Sequence, residues 1–136
     1  MARSPLVLAA LLCLLSNPSG SLANTDGDAA GEPYACASRA DIVAPCFNVR
    51  GRLSYWNGAP SARIWPVGTK RLIGVHFDVL PPTLEAEITQ YDPRRSFYTE
   101  VWAEFRLCPI TRYHEGRMQF ACIEAWRNAT FRHRKE

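Results

Sequence analysis

The sequence lacks the features that mark a membrane protein or a nucleic-acid-binding protein. No stretch is long and apolar enough to cross a bilayer as a helix, which takes about twenty residues. The net charge is only +3 at pH 7 with His neutral, from 16 Lys and Arg against 13 Asp and Glu. Because these cations are scattered along the chain, they predict no nucleic-acid partner and leave at most a weak preference for anionic surfaces.

The familiar catalytic motifs are also missing. The chain has no H-E-x-x-H, no G-x-S-x-G, no phosphate-binding glycine loop and no dinucleotide fingerprint. It has no C-x-x-C pair, which a dithiol redox site or a zinc knuckle would need. We therefore expect no cofactor and no metal, and a binding role is favoured over catalysis.

The first 23 residues have the pattern of a cleavable signal peptide. Arg3 is followed by an apolar stretch over residues 5–15, and small residues occupy Ser21 and Ala23. This arrangement predicts cleavage between Ala23 and Asn24 and a periplasmic or secreted protein. A buried N-terminal helix and a lipoprotein acylated at Cys13 are the alternative interpretations.

The cysteine count agrees with export. Of five cysteines, Cys13 would leave with the signal peptide, and the other four would be Cys36, Cys46, Cys108 and Cys122. An even number in an oxidising compartment predicts two disulfides. Local pairs, Cys36–Cys46 and Cys108–Cys122, are slightly favoured. A bridge from Cys46 to Cys108 or Cys122 is the alternative that suits a closed β structure.

The rest of the chain predicts one mainly β domain over residues 34–128. We expect a small antiparallel sandwich or partly open barrel of about five or six strands, because apolar and polar residues alternate and turn signals are closely spaced. Five strands are predicted, at residues 46–55, 61–67, 71–77, 97–107 and 118–126. The first three form a meander, with Asn57-Gly58 as the first hairpin turn.

Short helices and flexible ends complete this prediction. One or two helical turns are predicted within residues 34–44 and again within residues 83–90. Residues 24–33 are rich in Gly, Asp and Ala and predict a flexible leader. Residues 129–136 are basic and predict a frayed tail.

The candidate binding residues are Arg50, Arg52, Arg63 and Trp65. They could share one sheet face with nearby aromatic residues, Tyr55 and Trp56. Cations interleaved with aromatic rings can bind anionic glycans by ion pairing and stacking. The alternative is a solvated strand face on which aromatic rings cover the edge of the core.

Two further groups could carry function. His76, Asp78 and His114 could form a metal-assisted or acid–base hydrolase, which is the alternative function, although a His near a strand end is usually structural. Tyr98, Trp102 and Trp126 could form a sugar-stacking surface or a second core. An aromatic surface that docks an envelope protein is a third possibility.

Several segments together resemble small exported proteins of Gram-negative bacteria for which no activity is established. They are CFNVRGRLS (46–54), NGAP (57–60), RIWPVGT (63–69), CPIT (108–111) and GRMQFAC (116–122). The resemblance covers about two thirds of residues 24–136. It implies a periplasmic or secreted location and a shared scaffold, and it assigns no functional residue.

Overall fold

The computed structural model describes residues 34–94 and 97–135. The predicted signal peptide and flexible leader, residues 1–33, lie outside this part of the chain. The mainly β prediction is confirmed, because five strands form one mixed sheet. They are β1 (Phe47–Tyr55), β2 (Ala62–Pro66), β3 (Ile73–Val75), β4 (Thr99–Pro109) and β5 (Gln119–His133).

The five strands close into a ring in the order β1-β2-β3-β5-β4. β1, β2 and β3 form the predicted antiparallel meander, and β4 returns to pair with β1. This spatial order, 4-1-2-3, is a Greek key. β5 then lies between β4 and β3 and runs parallel to β3, so the sheet is not antiparallel throughout. The ring is not a regular barrel, since β3 contributes only three residues.

The predicted alternation places the core inside this ring. Along β4, Val101, Phe105 and Leu107 are buried, whereas Trp102 and Arg106 between them are half-buried or exposed. The β1–β2 turn at Asn57-Gly58 is also confirmed. It is closed by a 2.8 Å hydrogen bond from Trp56 N to Ser61 O, and Gly58 takes a φ of 103° that suits glycine.

The helical predictions are half right. Residues 83–90 lie within α1 (Pro82–Tyr91), which follows a short 3₁₀ turn, Phe77–Val79, and buries Leu84 and Ile88. Residues 34–44 form irregular turns instead of a helix. Among the described residues, no helix has the length and apolar character needed to span a membrane.

The predicted frayed tail is wrong for most of its length. Residues 129–133 are the last residues of β5, and they pair with the beginning of β4 through Thr99↔His133 and Val101↔Phe131. Ala129 and Phe131 are half-buried and pack against the core. The strand continues because these apolar residues still alternate with the polar ones around them.

The favoured local disulfide pairing is also wrong. The bridges are Cys36–Cys122 and Cys46–Cys108. Cys108 and Cys122 do face each other across β4 and β5, as a hairpin would predict. The segment before β1, which contains Cys36 and Cys46, lies beside these strands. It is held there by hydrogen bonds from Tyr34 N to Glu124 O and from Val43 N to Pro109 O, of 2.8 and 2.9 Å. Cys122 and Cys108 therefore each form a disulfide with a cysteine of this segment. Two disulfides indicate an oxidising, extracytoplasmic environment.

Gly74 in β3 provides a test of the close packing around this short strand, through which the sheet closes on itself. A Cβ added there would lie 2.6 Å from Pro60 Cγ, 2.9 Å from Met118 Sδ and 3.1 Å from Phe120 Cδ1. The methionine can move, but the proline ring cannot. We expect Gly74→Ala to lower the free energy of unfolding by about 1–3 kcal/mol, measured by urea denaturation. Lys70→Ala on the exposed turn is the control, and an equal loss there would contradict the explanation.

Candidate ligand-binding face

Four strands place a row of cations and indole rings on the outside of the ring. On β1, Arg52 is the register partner of Trp65 on β2 and of Trp102 on β4. Arg132 on β5 lies beside Trp102 from the other side. We call these four residues, Trp65, Arg52, Trp102 and Arg132, the Arg–Trp ladder. With strands about 4.8 Å apart, it extends roughly 14 Å across the sheet.

The side chains of the ladder are in direct contact. The guanidinium carbon of Arg52 lies 5.3 Å from the ring centroid of Trp65 and 5.7 Å from that of Trp102. The Arg132 guanidinium carbon lies 5.9 Å from the Trp102 centroid. The two indole rings meet edge to face, with centroids 6.3 Å apart. Such cation–π contacts contribute about 0.5–2 kcal/mol each, depending on their exposure.

Arg52 and Glu100 fix the centre of the ladder. Arg52 Nη1 lies 3.2 Å from Glu100 Oε1, and Trp102 Nε1 donates a 3.2 Å hydrogen bond to Glu100 Oε2. Glu100 is buried, and only 26% of the Arg52 side chain is exposed. Arg52 therefore serves to position the indole rings and is poorly placed to reach a ligand itself.

The outer members of the face are the groups that a ligand can reach. Arg50 and Arg132 are exposed, and Trp65 and Trp102 are half-buried. A shallow cavity of about 230 Å³ lies beside Trp102, lined by Arg50, Val67, Trp102, Ala103, Asn128, Thr130 and Arg132. The face thus combines apolar ring surface with exposed guanidinium groups.

Glu104 lies next to this face. A 2.6 Å hydrogen bond from Arg127 Nε, then one from Asn128 and the nearby charges of Arg127 and Arg50, hold the pKa of Glu104 below its ordinary value. Glu104 therefore stays ionised in mildly acidic solution. Glu104 pairs locally with Arg127. Arg50 and Arg132 are the exposed cations that line the shallow cavity beside Trp102.

The structure brings together three of the four predicted binding residues. Arg50 and Arg52 lie two residues apart on the outer face of β1, and Trp65 on β2 is the register partner of Arg52. Arg63 braces the β1–β2 turn by donating hydrogen bonds of 3.0 Å to Pro60 O and 3.4 Å to Asn57 O.

The aromatic residues predicted around them divide between two faces. Tyr55 points into the core, whereas Trp56 is exposed, with the Arg134 guanidinium carbon 4.8 Å from its centroid. Tyr98, Trp102 and Trp126 share no surface, since Trp126 is buried in the core and Trp102 belongs to the ladder.

Sequence reasoning missed Glu100 and Arg132 as parts of the site and assigned Trp102 to a different surface. Alternation on β4 does place Glu100 and Trp102 on the outer face. What it does not give is the long-range pairing of β4 with β1, which brings Trp102 to Arg52. Arg132 was missed because residues 129–136 were assigned to a tail.

The two histidines of the alternative hydrolase, His76 and His114, lie apart. His76 follows β3 and stacks on Phe120, with ring centroids 5.0 Å apart. His114 lies in the β4–β5 loop before β5. Because β3 and β5 run parallel, these positions are at opposite ends of the strand pair. Nowhere in residues 34–94 and 97–135 do three His, Cys, Asp or Glu side chains form a group that could hold a metal ion.

Comparison with protein-family models, curated protein sequences and solved structures finds no match to the chain. The functional argument therefore depends on the residues of the face itself.

Proposed function

We propose that the protein is a non-catalytic extracytoplasmic binding module whose Arg–Trp ladder binds an anionic polysaccharide. The observation that carries the proposal is the pair of half-buried indole rings of Trp65 and Trp102, with the exposed guanidinium groups of Arg132 and Arg50 at the cavity beside Trp102. An indole ring offers apolar surface to the C–H face of a sugar ring. A guanidinium group forms bidentate hydrogen bonds with a carboxylate or sulfate.

The location and the architecture support this choice of ligand. The two disulfides favour a compartment outside the cytoplasm, where acidic polysaccharides are available ligands. The signal-peptide pattern and the resemblance to small exported Gram-negative proteins add a periplasmic or secreted location to the proposal. A five-stranded Greek-key arrangement is also the architecture of OB-fold barrels, which bind oligosaccharides and oligonucleotides. Architecture alone does not assign a ligand, so the chemistry of the face remains the main argument.

The first test compares ligands of different charge. The disulfide-bonded protein would be titrated by calorimetry with alginate oligosaccharides, heparin, neutral dextran and a thymidine oligonucleotide. We expect both acidic polysaccharides to bind, more weakly as salt is added, and dextran to bind at least tenfold more weakly. Tighter binding of the oligonucleotide than of either polysaccharide, or no polysaccharide binding at all, would overturn the proposal.

The second test removes single members of the face. We expect Trp102→Ala to weaken alginate binding by roughly 10- to 100-fold, on the scale of an aromatic stacking contact of about 1–3 kcal/mol. Arg132→Gln, an exposed position where folding is little affected, should weaken it several-fold. Arg39→Gln removes the same charge from an exposed ion pair with Asp41, 2.8 Å long, and serves as the control. Equal losses for Arg132→Gln and Arg39→Gln would indicate attraction to net charge only.

A further inference from the structure

A second concave region lies at the β2–β3 turn and the β4–β5 loop. Two cavities of about 450 Å³ each meet there, and Arg71 and Tyr113 line both of them. Cavities of this size fall within the range of small-molecule sites. Besides the shared pair, the first is lined by Lys70, Leu72, Glu115, Gly116, Arg117 and Met118.

Arg71 is held in place within this region. Its guanidinium carbon lies 4.2 Å from the centroid of the Tyr113 ring, and its Nη2 donates a 2.6 Å hydrogen bond to Gln119 Oε1. Gln119 is buried, and its Nε2 donates a 3.0 Å bond to Thr111 O. Gln119 thus acts as a positioning residue. A guanidinium has five N–H donors, so this bond to Gln119 leaves donors on Arg71 for a ligand.

The loop that carries Tyr113 is tied at its base. Phe120 N donates a 2.9 Å hydrogen bond to Thr111 Oγ1, and Ile110 N donates one of 2.9 Å to Phe120 O. The walls of both cavities therefore start from a paired part of the sheet. A ligand would meet Arg71 and Tyr113 already in position, which reduces the ordering cost of binding.

The charges and exposed surfaces define the ligand chemistry. Lys70, Arg112 and Arg117 line these cavities together with Arg71, against a single carboxylate, Glu115. Tyr113 is 49% exposed, and the Arg71 guanidinium covers one face of its ring. The region therefore combines several cations with an aromatic surface, on a part of the sheet distinct from the Arg–Trp ladder.

We propose that this region is a second binding site, for a small organic anion that carries a carboxylate or phosphate on a planar body. The anionic group pairs with the guanidinium of Arg71, and the planar body packs against Tyr113. This site uses the β2–β3 turn and the β4–β5 loop and does not depend on polysaccharide binding by the ladder.

The test uses simple probes and NMR titration of the disulfide-bonded protein. We expect benzoate or phenyl phosphate to shift signals of Arg71 and Tyr113, and at least tenfold weaker binding of benzyl alcohol and of inorganic phosphate. Benzoate against phenyl phosphate distinguishes a carboxylate from a phosphate ligand. Inorganic phosphate binding as tightly as phenyl phosphate would show charge attraction alone and overturn the proposal, as would equal binding of benzyl alcohol.

Single-residue variants show whether the probes bind at Arg71 and Tyr113. Arg71→Gln and Tyr113→Leu should each weaken binding of the preferred probe at least tenfold, and Arg71→Lys should restore only part of it because the planar fork is lost. Since Tyr113 is exposed, its variant tests the site even if Arg71→Gln disturbs the turn. Arg132→Gln should leave probe binding unchanged, and Arg71→Gln should leave alginate binding unchanged. Full restoration by Arg71→Lys, or no effect of either site variant, would overturn the proposal.

Discussion

Replacing both Cys36 and Cys122 with serine is expected to lower the free energy of unfolding by about 2–5 kcal/mol. This bridge joins residues 86 positions apart. Its removal releases the segment before β1 and enlarges the conformational entropy of the unfolded chain. Domains of this size are typically stable by only about 5–15 kcal/mol, so a large share of the total stability would be lost.

Urea denaturation followed by circular dichroism measures this loss. The matched comparison is the Cys46→Ser, Cys108→Ser double variant, which opens the inner bridge with its separation of 62 residues. We expect a loss of similar size, because loop entropy depends only weakly on loop length. A change of less than about 0.5 kcal/mol in either variant, the size of an ordinary surface substitution, would contradict the pairing.

Trypsin can establish the connectivity directly, because it separates all four cysteines. Cys46 falls in peptide 40–50, Cys108 in 107–112 and Cys122 in 118–127, while the peptide that contains Cys36 ends at Arg39. Without reduction, mass spectrometry should show 40–50 linked to 107–112 and 118–127 linked to the Cys36 peptide. A linked pair of 107–112 with 118–127 would instead support local pairing.

Trp126→Ala is expected to destabilise the protein by about 3–5 kcal/mol. Trp126 is the largest fully buried side chain of the described part of the chain, with 1% of its surface exposed. Its register partner on β4 is Phe105, which is also buried. Truncation to alanine would leave a cavity in the core against β4 and β5. The paired strands are too rigid to move in and fill this cavity, so the lost packing is not recovered.

Trp126→Phe separates packing from polarity. The indole Nε1 of Trp126 is buried and has no hydrogen-bond partner within residues 34–94 and 97–135. Phenylalanine keeps most of the apolar volume and removes this unsatisfied donor, so we expect it to cost clearly less than alanine. Thermal and urea denaturation of both variants provide the measurement. Equal losses would mean that the indole N–H stabilises the fold in another way.

The strands were predictable because their signals are local. Alternation over residues 97–107 and the Asn57-Gly58 turn depend only on neighbouring residues and define β4 and the first hairpin. The parallel β3–β5 pair was not predictable, because it joins Ile73 to Gln119 across the intervening α1 and β4. Nothing in the pattern of β3 itself indicates which strand it will lie beside.

The contacts of the candidate site also divide into those that local sequence predicts and those that depend on long-range strand pairing. Arg52 and Trp65 belong to one hairpin, so their proximity follows from the turn and the alternation. Trp102 joins them only through the long-range pairing of β1 with β4. The end of β5 was missed because Arg127, Arg132 and Arg134 obscured the alternation of the apolar residues between them, and this hid the last member of the ladder.

The nested arrangement of the two disulfides has a consequence for how the protein is made. The ribosome produces Cys36 and Cys46 first, and both of their partners lie more than 60 positions further along the chain. At about 5–20 residues per second, Cys108 follows Cys46 by roughly 3–12 s. An oxidant that joins neighbouring cysteines within this interval would produce a Cys36–Cys46 bridge, which the folded protein does not contain. Whenever oxidation is that fast, the early bridge has to be reopened by thiol–disulfide exchange, with a thiolate of the chain itself or of an isomerase, before the two native bridges can form.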